Sequence, residues 1–272
     1  NMSETTNSLG YWEPHTSSAD FCETNYIGSI YFAEFHNTWS SLYLVALGIY
    51  GLYHSPSVEL RYKLPFFILI IVGFGSAALH GTLHWWWQSS DEVPMLWANL
   101  SFIFALHKIY SCHGESTTQF AIVIISIGLI QTYIYYSFRH LFWLFIAQYA
   151  ILLIVITFWF SYLVLTSNKY DYPIRLQLLR GSLTSYLFIG LTLWGYEMQN
   201  CDELVDTFII YYGLSYHILW HIGAGLGTYL LILLLMFLIH LKMLLKMFLV
   251  FLINHLLLVT QVSMVTVNHP EI

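Results

Sequence analysis

Charge is what this chain has least of. Asp, Glu, Lys and Arg make up only 9% of its 272 residues, where a soluble domain carries about a quarter. So few charges cannot clothe a water-facing surface, and a soluble globular domain is excluded. Internal repeats, low-complexity segments and any composition shift marking a second domain are also lacking. Residues 1–37 are polar and acidic and do not read as a cleavable signal peptide. With a formal net charge of −6 and nine Lys and Arg in all, no nucleic-acid partner is expected.

What replaces charge is apolar length. Hydrophobic residues make up 58% of the chain and mean hydropathy is +0.64, values of a protein whose solvent is the lipid bilayer. A hydrocarbon core of roughly 30 Å needs about 20 helical residues to cross. Runs of that kind fall near 38–55, 64–84, 92–110, 119–138, 141–165, 176–198 and 214–240. In lipid every backbone N–H and C=O must find a partner within the protein, so runs this long are read as helices. The expectation is an all-α integral membrane seven-transmembrane helix bundle over 38–240. A short acidic N-terminal segment, 1–37, precedes it, and a tail of uncertain structure, 241–272, follows.

Helix parity places the end of the second run, the start of the third and the start of the last on the N-terminal side of the membrane. Eight of the nine basic residues, Arg61, Lys63, Lys108, Lys169, Arg175, Arg180, Lys242 and Lys246, fall on the opposite side or its margins; only Arg139 does not. The excess of Lys and Arg in cytoplasmic loops then predicts an N-terminus that is luminal or exterior.

Polar residues inside such spans are costly and usually functional. His217 and His221 are i and i+4 on the last helix, so both imidazoles share one face and can address one cation. Gly223, Gly225 and Gly227 follow them and permit close helix approach. His80 and His84 stand at the same spacing in the second run. His84 adjoins Trp85-Trp86-Trp87 and reads as part of an interfacial aromatic belt, which makes His80 the preferred third ligand. Three histidines leave one tetrahedral position open, the pattern of a catalytic zinc. Ser76 lies one turn before His80 on the same face. Asp91 and Glu92, at the turn into the third run, are rival candidates for a proton acceptor, and composition does not choose between them.

Gly75-Ser76-Ala77-Ala78-Leu79-His80, Asp91-Glu92-Val93-Pro94-Met95 and His217-Ile218-Leu219-Trp220-His221-Ile222 together resemble the motifs of the alkaline ceramidases. These are seven-span hydrolases of a superfamily that includes adiponectin-receptor-like proteins. The resemblance runs from about Gly10 to Tyr229 and implies zinc on His80, His217 and His221, with Ser76 and Asp91 catalytic. It further implies a calcium site in the N-terminal segment, with Asp20, the Phe21 carbonyl, Glu23, Asn25 and Glu34 as ligands; hard oxygens of this kind suit calcium. The family is also similar in pairing the cysteines at Cys22 and Cys201, which here fall on the same side of the membrane. The implied reaction is hydrolysis of the N-acyl amide of ceramide to a sphingoid base and a free fatty acid, in the endoplasmic reticulum or Golgi membrane.

Two alternatives belong to other classes. One is a heptahelical receptor of the adiponectin-receptor type, whose opposite orientation the basic residues argue against. The other is a membrane hydrolase acting on a glycerolipid or lipid-anchor ester, which the same site chemistry would serve.

Overall fold

In the computed structural model of the chain, residues 10–55, 60–110, 117–166, 172–204 and 215–240 are described. Their regular structure is all helix. α1 spans Phe35–Tyr53, α2 Leu60–Thr82, α3 Trp85–Tyr110, α4 Thr117–Ser137 and α5 Phe142–Leu165. The next run has three pieces: α6 (Tyr172–Leu183), a π-helical stretch (Thr184–Leu191) and α7 (Thr192–Gln199). The short α8 (Cys201–Leu204) follows, and α9 spans His217–His240. The chain divides into two compact units, Asn1–Leu234 and Leu235–Ile272, and every site residue lies in the first. The tail expected at 241–272 lies outside the described residues, as do Lys169, Lys242, Lys246 and the side chains of Arg61 and Lys108.

Among the described residues, four helices are long and apolar enough to cross a bilayer: Tyr62–Thr82 within α2, then α4, α5 and α9. The apolar windows of α4 and α5 are only 17% and 22% buried. Ile122, Leu129, Ile130, Ile151 and Phe158 therefore point outward, an apolar surface that suits lipid and not water. α1 and α3 fall short of the same measure for a local reason. Asn37, Thr38, Ser40 and Ser41 open α1, and Gln88-Ser89-Ser90-Asp91-Glu92 open α3. Most of these polar side chains turn inward: Asn37, Thr38, Ser41, Gln88, Ser89 and Glu92 are buried.

The first three helices pack through Leu44 of α1 and Ile68, Leu69 and Val72 of α2, with Met95 and Ala98 of α3 against them. The end of α2 is held from outside by the N-terminal segment. Leu83 turns the chain out of α2 with a positive φ of 50°, and its carbonyl accepts the N–H groups of Thr16 and Ser17, each at 3.0 Å. Ala33 and Glu34 donate to the carbonyls of Gly81 and His80, each at 2.9 Å. Helix-end carbonyls that lack an intrahelical donor are satisfied in this way. The consequence for the site is that Glu34 is delivered beside His80.

Gly75 sets the approach of α3 to α2. A Cβ there would run into the carbonyl group of Ser90 and the amide nitrogen of Asp91, all backbone and unable to step aside. The missing side chain thus lets Asp91 reach the level of Ser76. Gly75→Val is expected to push α3 outward and cut turnover by about 100-fold, the scale of an ångström-sized misplacement, while leaving the three histidines in place. Steady-state kinetics with bound-metal analysis on the purified variant checks this; wild-type turnover would show that the approach is irrelevant.

Candidate functional site

α2 and α9 bring three buried imidazoles to one point. His80 Nε2 and His217 Nε2 lie 3.2 Å apart, and one ligand nitrogen from each of His80, His217 and His221 lies within 4.8 Å of the others. Ligand bonds of about 2.0–2.1 Å in a tetrahedron separate neighbouring nitrogens by roughly 3.3 Å. The donor set and its spacing thus suit one metal ion and are compatible with zinc. His84, the periodicity's other candidate, is turned away beyond Leu83 and its Nε2 meets the Trp12 carbonyl at 2.9 Å.

The rings are oriented from behind. His80 Nδ1 faces Glu34 Oε2 at 2.5 Å, and His221 Nδ1 faces Ser40 Oγ at 2.7 Å. Partners on the outer nitrogen fix a histidine's tautomer and aim the other nitrogen at the ion. His217 is held by packing instead, its ring 4.2 Å from that of Phe21 and 6.3 Å from that of Trp194, centroid to centroid. Gly223, two residues after His221, lets α9 lie against the backbone of Ser185 and Gly190 in the π-helical stretch. Gly227 approaches the Ser182 carbonyl in the same manner, whereas Gly225 faces side chains of Tyr43 and Leu47 on α1.

Ser76, Asp91, Glu92, His217 and His221 line one cavity. Ser76 Oγ is 3.4 Å from His221 Nε2 and accepts from Ser41 Oγ at 3.0 Å. Along α3 the lining continues through Met95, Ala98, Asn99 and Phe102, roughly 16 Å below Asp91 at 1.5 Å per residue. Leu153 and Thr157 of α5 and Leu183 and Leu187 of the α6 run face them. The cavity is polar beside the histidines and mostly apolar beyond, a shape for a molecule with one reactive polar centre and long hydrocarbon tails. Asp91 and Glu92 differ in their ties. Glu92 Oε1 accepts from Gln88 Nε2 at 3.0 Å, and Gln88 is locked to Ser18 by two bonds of 2.8 Å.

The N-terminal segment lies over this centre. Both oxygens of Glu23 accept backbone N–H groups at the start of α1, from His36 at 2.6 Å and Asn37 at 2.8 Å. Burial lifts the Glu23 carboxyl to about 7 against those two bonds, with Glu34 adding to the rise. Glu34 Oε1 accepts from the Phe21 N–H and Oε2 from Asn37 Nδ2, each at 3.0 Å. Asn25 Oδ1 is buried without a hydrogen-bond partner, while Asp20 lies near Glu34 at the surface. Among the described residues, the histidine trio is the one group of three His, Cys, Asp or Glu close enough for a single ion; Asp20, Glu23 and Glu34 do not form a second. Cys22 and Cys201 are joined by a disulfide, Cα–Cα 5.5 Å, packed with Leu204 and Tyr216. It ties the segment to the stretch that leads into α9.

Three contributors were not legible as site residues from spacing. Glu34 as the partner of His80 lies 46 positions away, and Ser40 as the partner of His221 lies 181 away. Gly75 had no signal beyond its place before Ser76. The polar run opening α1, within an otherwise apolar stretch, was the hint that its first turn faces something other than lipid.

The ceramidase family model matches residues 13–257. The chain is similar to alkaline ceramidase 3 of Mus musculus, 29% identical over 235 residues that cover 84% of this chain and 86% of the mouse protein. Its identity to an alkaline ceramidase of Arabidopsis thaliana is 27% over 225 residues, 80% and 82% of the two chains. A shorter stretch of 91 residues, 33% of this chain and 29% of the other, is 38% identical to the alkaline ceramidase YPC1 of Saccharomyces cerevisiae. A match that takes in the N-terminal strap, the histidine trio and the cavity alike has one meaning: the chain belongs to the ceramidase family.

Proposed function

We propose that this chain is a zinc-dependent alkaline ceramidase that crosses the membrane seven times and cleaves the N-acyl amide of ceramide to a sphingoid base and a free fatty acid. The observation that carries the reading is the cavity itself. Ser76, Asp91 and two of the three clustered buried histidines, His217 and His221, line it together, and it continues as an apolar channel. The basic residues favour a luminal or exterior N-terminus, and family resemblance favours the endoplasmic reticulum or Golgi.

Zinc held by His80, His217 and His221 would supply a Lewis acid and a water acidified enough to attack at moderate pH. The remaining steps belong to the chain. Glu34 and Ser40 hold the ligand rings in register from their Nδ1 side. The apolar walls seat both tails and bring the amide carbonyl beside Ser76. Asp91 takes the proton as the water oxygen bonds to the carbonyl carbon, and the Ser76 hydroxyl donates to the carbonyl oxygen as negative charge gathers there. The C–N bond then breaks and Asp91 passes its proton to the leaving nitrogen. The acyl group leaves as the acid and the base as the amine.

The test is fatty-acid release from a panel of ceramides by the purified protein at alkaline pH, before and after metal removal. Turnover that disappears on chelation and returns with zinc supports the reading. Activity on acyl esters with none on any ceramide would transfer it to the ester hydrolases. Calcium is proposed for the N-terminal segment on resemblance, supported by the unpartnered buried Asn25 Oδ1. Asn25→Ala is expected to raise the calcium concentration for half-maximal activity by about tenfold; an unchanged calcium titration would remove that site.

A further inference from the structure

Glu92 is left over by the mechanism. It is 3% exposed, yet Oε2 has no hydrogen-bond partner. Buried polar atoms in folded proteins are nearly always paired, and a carboxyl oxygen left alone is among the more costly exceptions. Glu92 lines the large cavity with Asp91 and also a much smaller pocket, with room for little more than one hydroxyl or water. Gln148 of α5 lines that smaller pocket too, and both its Nε2 and its Oε1 are buried without partners. Three unpaired polar atoms, two acceptors and one donor, therefore border one small space. The carboxyl is also aimed, since Gln88, itself bonded to Ser18, donates to Oε1 from the other side, and the Tyr135 hydroxyl, which lines the same small pocket, comes within hydrogen-bonding reach of the carboxyl.

We infer that Glu92, with Gln148, is the headgroup reader of this enzyme and binds a free hydroxyl on the sphingoid base. The inference rests on the ceramide reading above and deepens it. In an N-acyl sphingoid base the two hydroxyl-bearing carbons flank the carbon that carries the amide nitrogen. Those hydroxyls must lie within a few ångströms of the scissile bond, hence beside Asp91, whose chain neighbour is Glu92. A hydroxyl both donates and accepts, so it can satisfy Glu92 Oε2 and one end of the Gln148 amide together. The small pocket leaves little room for a group built onto that hydroxyl.

The experiment compares kcat/KM for a ceramide and for the same N-acyl amine lacking the headgroup hydroxyls, in wild type, Glu92→Leu, Glu92→Gln and Gln148→Leu. Wild type is expected to prefer the hydroxylated amide by about 100-fold, because a site built around a hydroxyl rejects the analogue that leaves its buried groups unpaired. Glu92→Leu should bring the hydroxylated amide down to the rate of the other. Glu92→Gln, whose amide still accepts and donates, should restore part of the preference. Gln148→Leu should weaken it, and carries the test alone if the Glu92 variants fail to fold. Equal losses on both amides in every folded variant would assign the pocket to water or to structure and overturn the inference. A wild type that turns over both amides equally overturns it too, with the ceramidase reading intact. A wild type that turns over neither amide overturns that reading and this inference together.

Discussion

His217→Ala is expected to remove bound zinc and ceramide turnover in one step, with metal content falling from near one per chain toward zero and activity by at least about 1000-fold. Two imidazoles cannot hold the ion in the geometry three provide, and no nearby side chain substitutes. Among the described residues no other His, Cys, Asp or Glu completes a trio with the remaining pair. The competing account makes His217 a packing residue between Phe21 and Trp194, bonded to His80 across 3.2 Å. That account predicts lowered thermal stability with metal and turnover kept, so zinc analysis and fatty-acid release on the folded variant separate the two. Ser40→Ala gives the graded control. It removes only the group behind His221, and zinc affinity should fall about 10- to 100-fold.

The histidine pair on α9 was legible because helical periodicity alone puts i and i+4 on one face. His80 against His84 was not settled by periodicity, which treats them alike. The chain leaves the helix at Leu83, so only His80 keeps the helical direction toward α9. Glu34 carries the clearest lesson. Read locally it is one acid among several, assigned by resemblance to a calcium site; in the structure its Oε2 faces His80 Nδ1, a contact made when the strap caps the end of α2. Asp91 and Glu92 were equal by composition because neighbours on a helix diverge by about 100° and only packing tells which way each points. The run read as one span at 176–198 is broken by a π-helical stretch at Thr184–Leu191. Hydropathy is blind to that change of winding, since the side chains stay apolar on either side of it.

Asp91→Ala is expected to keep its zinc and lose its turnover. The carboxylate lines the cavity with Ser76, His217 and His221 but stands outside the trio that could hold an ion, so metal analysis should read as in wild type. Removing a positioned acid–base group costs about 100- to 10,000-fold. The loss should fall on kcat with KM nearly unchanged, because the tails and the headgroup are bound by other residues. In the proposed mechanism two proton transfers depend on this one group, from the attacking water and to the leaving nitrogen. An amide whose leaving group needs no protonation, such as an anilide bearing an electron-withdrawing ring, should recover part of the loss. Glu92→Gln on that same activated substrate should show no such recovery. If Asp91→Ala hydrolyses ceramide at the wild-type rate, the proton carrier is another group, and Glu92, its neighbour at the cavity wall, is the first to examine.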